Sequence, residues 1–190
     1  MPARRAIHHV SRPSEIAAVI SPIRLEILDV LAGMGPASVP DVAATLGRAP
    51  DSLYYHFKAL ARCGLVVPVG ERRRGRHREA LYETVARDMR LKYDPSSPAN
   101  VRGVSRIAGS MLRLAHRDFR RALAAGDARV EGPSRELWTW RATGWLTAAE
   151  LRKMNTAIRA LHRAASRPRG RGRLYAVTLA LVPLDRRRKE

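Results

Sequence analysis

The chain has one cysteine, Cys63, in 190 residues, and only two phenylalanines. One cysteine excludes an intrachain disulfide and a thiolate cluster for structural zinc, so a reducing cytoplasm is the expected setting. No apolar run approaches membrane-spanning length, and the opening MPARRAIHHV lacks the apolar core of a signal peptide. A soluble, intracellular protein is expected. Catalytic signatures are missing as well: there is no Gly-x-Ser-x-Gly, no phosphate loop, no His-Glu-x-x-His and no Gly-x-Gly-x-x-Gly. Neither an enzyme nor a cofactor is anticipated. Acids are scarce, with Asp+Glu 17 against Lys+Arg 36 and a formal net charge of +19. Such a charge repels itself and makes sense beside a polyanion, with nucleic acid first and an anionic membrane surface second. Lysine is confined to Lys58, Lys92, Lys153 and Lys189, so nearly all the positive charge is guanidinium, which forks onto phosphates and guanine edges. A G+C-rich genome accounts for arginine in place of lysine, but not for the shortage of acids.

What is present is 45% hydrophobic residues, enough for one good core or two small ones. Residues 1–13 mix charge, His8, His9 and Pro13 without periodicity and read as a flexible basic arm. Ile16, Val19, Ile20, Ile23, Ile27, Leu28 and Leu31 then recur at helical spacing, broken by Ser21-Pro22, which predicts a short helix and a second with Pro22 in its first turn. Ser38 and Asp41 form a capping box for a third helix that Gly47 ends. Pro50 opens a fourth, Asp51 to about Cys63, stopped by Gly64. Leu65 to Gly70 and Ala80 to Val85 read as strands of a hairpin with a basic tip, Pro68 suiting an edge or a bulge. After the linker at 94–98, Ser97 caps and Pro98 opens a long helix that Gly126 closes.

Helices, a capped helix, a tight turn, another helix and a basic hairpin, in that order, are the pattern of a winged helix-turn-helix. The segments SVPDVAATLG (38–47), LYYHFKAL (53–60) and GLV (64–66) resemble the ArsR-type winged helix-turn-helix regulators. The resemblance covers roughly residues 14–88, and SLYYHFKAL followed by GLV is its most specific part. It implies a bacterial transcription regulator whose second helix of the motif, about 50–63, lies in the major groove of duplex DNA while the hairpin, 71–79, reaches the flanking backbone. ArsR-type metal sensors use clustered thiolates, and this chain has none; its histidines show no ligand spacing either, so no metal is expected.

At 100° per residue, Leu53, Phe57 and Leu60 share the core face of the fourth helix, with Asp51, Tyr55, Lys58 and Arg62 opposite and Ser52 and His56 on the flank. Ser52, Tyr55 and His56 are candidates for base-edge or methyl contacts, and Arg48, Lys58, Arg62, Arg72, Arg73, Arg74, Arg76 and Arg78 for the phosphate backbone. The alternative for Tyr54 and Tyr55 is packing in a core or interface. Asp51 either stabilises the helix dipole or accepts from cytosine. One short recognition helix reads few base pairs, so a homodimer on a two-fold operator is expected. Its candidate interface is the seam Val101, Val104, Ala108, Met111, Ala115 and Phe119 of the long helix, unless that seam packs within the chain. The alternative function is a nucleoid- or RNA-associated basic protein that binds by charge without base readout.

The fold class expected is mainly α with small β: a DNA-binding domain over 14–93, a linker and dimerisation helix over 94–126, a small α+β domain over 127–185, and a basic tail over 186–190. Within that C-terminal domain, 135–145 and 174–182 read as strands around a helix capped by Thr147 and Glu150. Trp138 and Trp140, on one face of the first strand, either line an effector pocket or build a small core under Leu151, Met154, Ile158 and Leu161. The effector itself is not specified by the sequence.

Overall fold

The computed structural model describes residues 5–166 and 172–184. The chain order is β1 (Arg5–Val10), α1 (Pro13–Val19), α2 (Pro22–Met34), α3 (Val39–Leu46), α4 (Asp51–Arg62), β2 (Val66–Arg74), β3 (His77–Thr84), β4 (Ala86–Leu91), α5 (Pro98–Ala125) and α6 (Ala148–Ala165). It is mainly helical with a small β content. The basic tail at 186–190 lies outside the described residues, as do 167–171.

Local chemistry accounts for most boundaries. Ser38 Oγ accepts from the Asp41 amide at 3.4 Å and the Asp41 carboxylate accepts from the Ser38 amide at 3.0 Å, the reciprocal capping box anticipated for α3. Gly47 ends α3 with φ +62, a left-handed conformation that costs a residue with a Cβ but not glycine. Ser97 caps α5 through the Asn100 amide. β2 and β3 form an antiparallel hairpin whose pairing slips between Pro68 and Gly70. Proline has no N–H to give to the ladder, so a bulge there is the expected remedy. Gly75, at φ +61, and Arg76 make the two-residue turn.

The core draws on α1 to α5 together with the inner ends of β1 and β2, and Ile27, Leu31, Val42, Leu53, Leu60, Leu65 and Ile107 are fully buried in it. Three findings depart from the sequence reading. First, residues 5–10 are no loose arm: they form β1, paired in parallel with β4 in the register Ile7↔Asp88 to Val10↔Leu91. Val10 is buried, and Glu15 anchors the end of the strand by accepting from the Ser11 and Arg12 amides and bonding His8 Nε2 at 2.8 Å. Second, the inward face of α5, for which the sequence reading names no residues, is not the seam assigned to the dimer. Gly103, Ile107, Ser110 and Leu114 are its buried residues. A Cβ on Gly103 would stand 2.5 Å from Ile16 Cγ2, so only glycine lets α5 come this close to α1. Ser110 Oγ donates to the Ile20 carbonyl at 2.9 Å, satisfying a backbone group freed where α1 breaks before Pro22. Third, 135–145 and 174–182 form neither helix nor strand, and α6 buries no residue. A strand needs a ladder partner, and among the described residues neither segment has one.

Candidate nucleic-acid interface

α4 is held on both sides of its length. Leu53, Phe57 and Leu60 sink into the core, as the periodicity required, and the Phe57 ring packs against Tyr82 of β3 with centroids 5.2 Å apart. Tyr82 also exchanges both backbone hydrogen bonds with Ala37, just before α3. The hairpin is thereby tied to both helices of the motif. At the far end Arg12 Nη2 donates to the Cys63 carbonyl at 2.8 Å and to Glu15 Oε1 at 2.7 Å, joining the C-terminus of α4 to α1. Glu15 is fully buried. Burial alone would raise its pKa, but the bonds from the Arg12 side chain, the Arg12 and Ser11 amides and His8 outweigh that and hold it at about 2.

The outward face of α4 carries Asp51, Ser52, Tyr55, Lys58 and Arg62, all exposed, with Tyr55 at 68%. Lys58 and Arg62 make no ion pair among the described residues. Ser52 directs its hydroxyl proton to the Ala49 carbonyl at 2.7 Å, which closes the first turn of α4 in place of a side-chain cap and leaves the oxygen as an acceptor only. His56 is half-buried, edge-on to Tyr55 at 5.5 Å, with Nδ1 buried and unpaired. Burial, and then the guanidiniums of Arg24 and Arg48, lower its pKa below the ordinary range, so the ring is neutral at pH 7. Of the three residues assigned to base edges, Tyr55 is therefore the one fully presented.

The basic residues fall into two groups. Arg72 is not a free phosphate ligand: its Nη2 donates to both Asp41 oxygens at 3.0 Å and to Glu79 at 2.8 Å, which locks the base of the hairpin to the N-terminus of α3. Arg48 is likewise engaged, with Glu26 Oε2 at 3.1 Å. Glu26 is buried and also accepts from Arg117 of α5, so the α3–α4 turn, α2 and α5 meet at one carboxylate. Both pairings have the same origin, since an arginine beside a partly buried acid in the folded chain is compensated by it. Arg73, Arg74, Arg76 and Arg78 form the other group. Arg73 and Arg78 face each other across the ladder and Arg74 faces His77. Arg78 is 82% exposed and only 3.6 Å from Glu71, and Arg74 lies 3.7 Å from Glu79. Directly opposed like charges destabilise a hairpin, and an approaching polyanion relieves the repulsion.

Tyr54, for which packing in a core or interface is the alternative, does not enter the core. It is 46% exposed and lines a cleft of about 600 Å³ with Ser38, Val39, Pro40, Arg74, His77 and Arg78. The cleft joins α4 to the tip of the hairpin across the N-terminus of α3. The available signal was the position of Tyr54 on α4, one helical step off the core face.

The dimer seam and the tryptophans are also placed. Val101 and Ala108 are exposed, whereas Val104, Met111, Ala115 and Phe119 are half-buried. Trp138 and Trp140 are 65% and 77% exposed, with the Arg135 guanidinium 4.3 Å over the Trp138 ring. Neither belongs to the buried core formed by the described residues. Among the described residues no group of three His, Cys, Asp or Glu is arranged to hold a metal, and no helix is long and apolar enough to cross a membrane.

No curated protein matches the chain. A solved structure titled "Crystal structure of RV1404 from Mycobacterium tuberculosis" aligns with 14% identity over 84% of this chain and 86% of that one, at a TM-score of 0.30. Residues 19–69 match the family model of a helix-turn-helix domain. These residues run from the end of α1 through α2, α3 and α4 into β2, the elements just described. Residues 19–69 of this chain thus carry a helix-turn-helix domain, and that domain supports a DNA-binding role in transcription regulation.

Proposed function

We propose that the protein is a bacterial, cytoplasmic transcription regulator that binds operator DNA as a homodimer, with α4 in the major groove and the β2–β3 hairpin along the flanking backbone. The observation that carries this reading is the continuity of one face. Tyr55, Lys58 and Arg62 look outward from α4, Tyr54 bridges to the hairpin, and at its tip Arg73 and Arg76 have no acid partner among the described residues while Arg74 and Arg78 keep only long pairs to Glu79 and Glu71. Tyr55 reads base edges or a thymine methyl, Ser52 and His56 flank it, and the lysine and arginines hold phosphates. The α5 seam, exposed at Val101 and Ala108 and half-buried at Val104, Met111, Ala115 and Phe119, joins the two protomers about the two-fold axis of the operator.

Selection of genomic fragments at near-physiological salt tests the reading. One enriched, roughly palindromic site is expected, with half-sites about one helical turn or a multiple of it apart. Recovery of DNA with no motif would establish charge-driven binding without base readout instead. If about six phosphates are engaged, affinity falls on the order of a thousandfold between about 50 and 200 mM salt.

A further inference from the structure

We infer that residues 127–184 complete their fold against a second copy of this chain, which supplies the strand partners and the apolar cover that the single chain lacks. This rests on the homodimer reading and extends it from the α5 seam to the whole C-terminal half.

Three observations carry the inference. The first is area. A folded monomer of 21.2 kDa exposes about 9,000 Å², yet this chain exposes 14447 Å². Granting the residues outside the description the surface of a fully unfolded chain, about 2,800 Å², still leaves more than about 2,000 Å² unexplained. Twice that amount falls in the range of obligate homodimer interfaces, about 2,000–5,000 Å² in total. The second is where the excess lies. Fourteen of the twenty-two exposed large apolar residues fall between Trp138 and Leu184, and α6 buries nothing although Thr147 and Glu150 cap it well. Its apolar side, Leu151, Met154, Ile158 and Leu161, is a helix face built to be covered.

The third observation is the backbone. Val177, Leu179 and Leu181 alternate along one segment and Trp138 and Trp140 along the other, the period of a half-buried strand, yet neither segment has a ladder. Contacts with the rest of the chain are few: His162 meets Asp88 at 3.3 Å, and Leu174 Cδ1 lies against Gly33 of α2. A second copy is the occupant that matches, because the same chain carries both the unpaired strands and the amphipathic helix that could cover them. A two-fold axis presents each to the other.

All the tryptophans, Trp138, Trp140 and Trp145, lie in this half, so tryptophan emission of the full chain, excited where tyrosine does not absorb, reports on it alone. Sedimentation and emission should be followed together on dilution. The expected result is a dimer with blue, shielded emission that shifts to the red with the same midpoint as dissociation. A dimer whose tryptophans stay water-exposed at every concentration overturns this inference and leaves the α5 dimer standing. A monomer overturns both. As a second arm, Ile158→Asp combined with Leu161→Asp should yield red emission and a lighter particle while the α2–α4 domain keeps its thermal transition by circular dichroism; unchanged emission and mass would also overturn the inference.

Discussion

Residues 10–114 and 127–184 differ in one respect that composition hides. Both contain well-capped helices and strand-like alternation, yet the first supplies every member of the buried core and the second supplies none. Amphipathic pattern therefore specifies which face of an element wants cover, not what covers it. In the N-terminal part the covers arrive in the same chain, since α2 lies under α4, Tyr82 meets Phe57, and α5 closes over α1. In the C-terminal part they do not.

The largest expected effect sharpens this contrast. Phe57→Ala removes a fully buried ring beneath the recognition helix and should cost about 3–5 kcal/mol, abolishing DNA binding with the fold; chemical denaturation of the α2–α4 domain measures it. Leu161→Ala on the exposed face of α6 should leave that transition in place and weaken self-association instead, and an equal loss of stability from both changes would erase the distinction between the regions.

Next in size is the acid response. The Glu15 carboxyl is held at about 2 against an ordinary 4.5, so its contribution is fully present above about pH 4.5 and is lost as the pH falls towards 2. Glu15→Gln should therefore destabilise the domain by on the order of 3 kcal/mol at pH 7, with the gap from wild type narrowing on acidification; unfolding curves at pH 7 and pH 3 give the comparison. Gly103→Ala should cost roughly 1–3 kcal/mol, because Ile16 or the whole of α5 must move to admit the methyl group. A neutral result in thermal melts would mean that α5 does not seat on α1 at that point.

The smallest effects separate the two kinds of arginine. Arg76→Ala should leave stability unchanged and reduce the salt slope of DNA binding by about one, whereas Arg72→Ala should lower the thermal transition with little change in that slope. Equal slopes for the two variants, measured by titration across salt concentrations, would remove the division between hairpin base and hairpin tip.

Much of this was legible beforehand. The Ser38–Asp41 box, the glycine stops at Gly47 and Gly126, the Leu53–Phe57–Leu60 face and the slip at Pro68 follow from short-range chemistry, which sequence states directly. β4 was not, because Ala86-Arg87-Asp88-Met89-Arg90-Leu91 has neither alternation nor β-branched residues, and its pairing with β1 bridges a long stretch of chain. The inward face of α5 escaped for a related reason. Glycine and serine carry no hydrophobic signal, yet close approach at Gly103 and a bond to the Ile20 carbonyl at Ser110 decide which side turns in.

The sequence by itself determined the helices, the β2–β3 hairpin, their caps and the positive charge that singles out a polyanion as partner, since each depends on composition or on neighbours a few residues away. Only the tertiary structure decided which arginines remain free. Arg48 and Arg72 meet Glu26, Asp41 and Glu79 across the fold, and a charge so paired is compensated before any phosphate arrives. Tertiary structure also decided that the strands read at 135–145 and 174–182 find no ladder in their own chain, because hydrogen bonds between strands require a partner that local sequence does not contain.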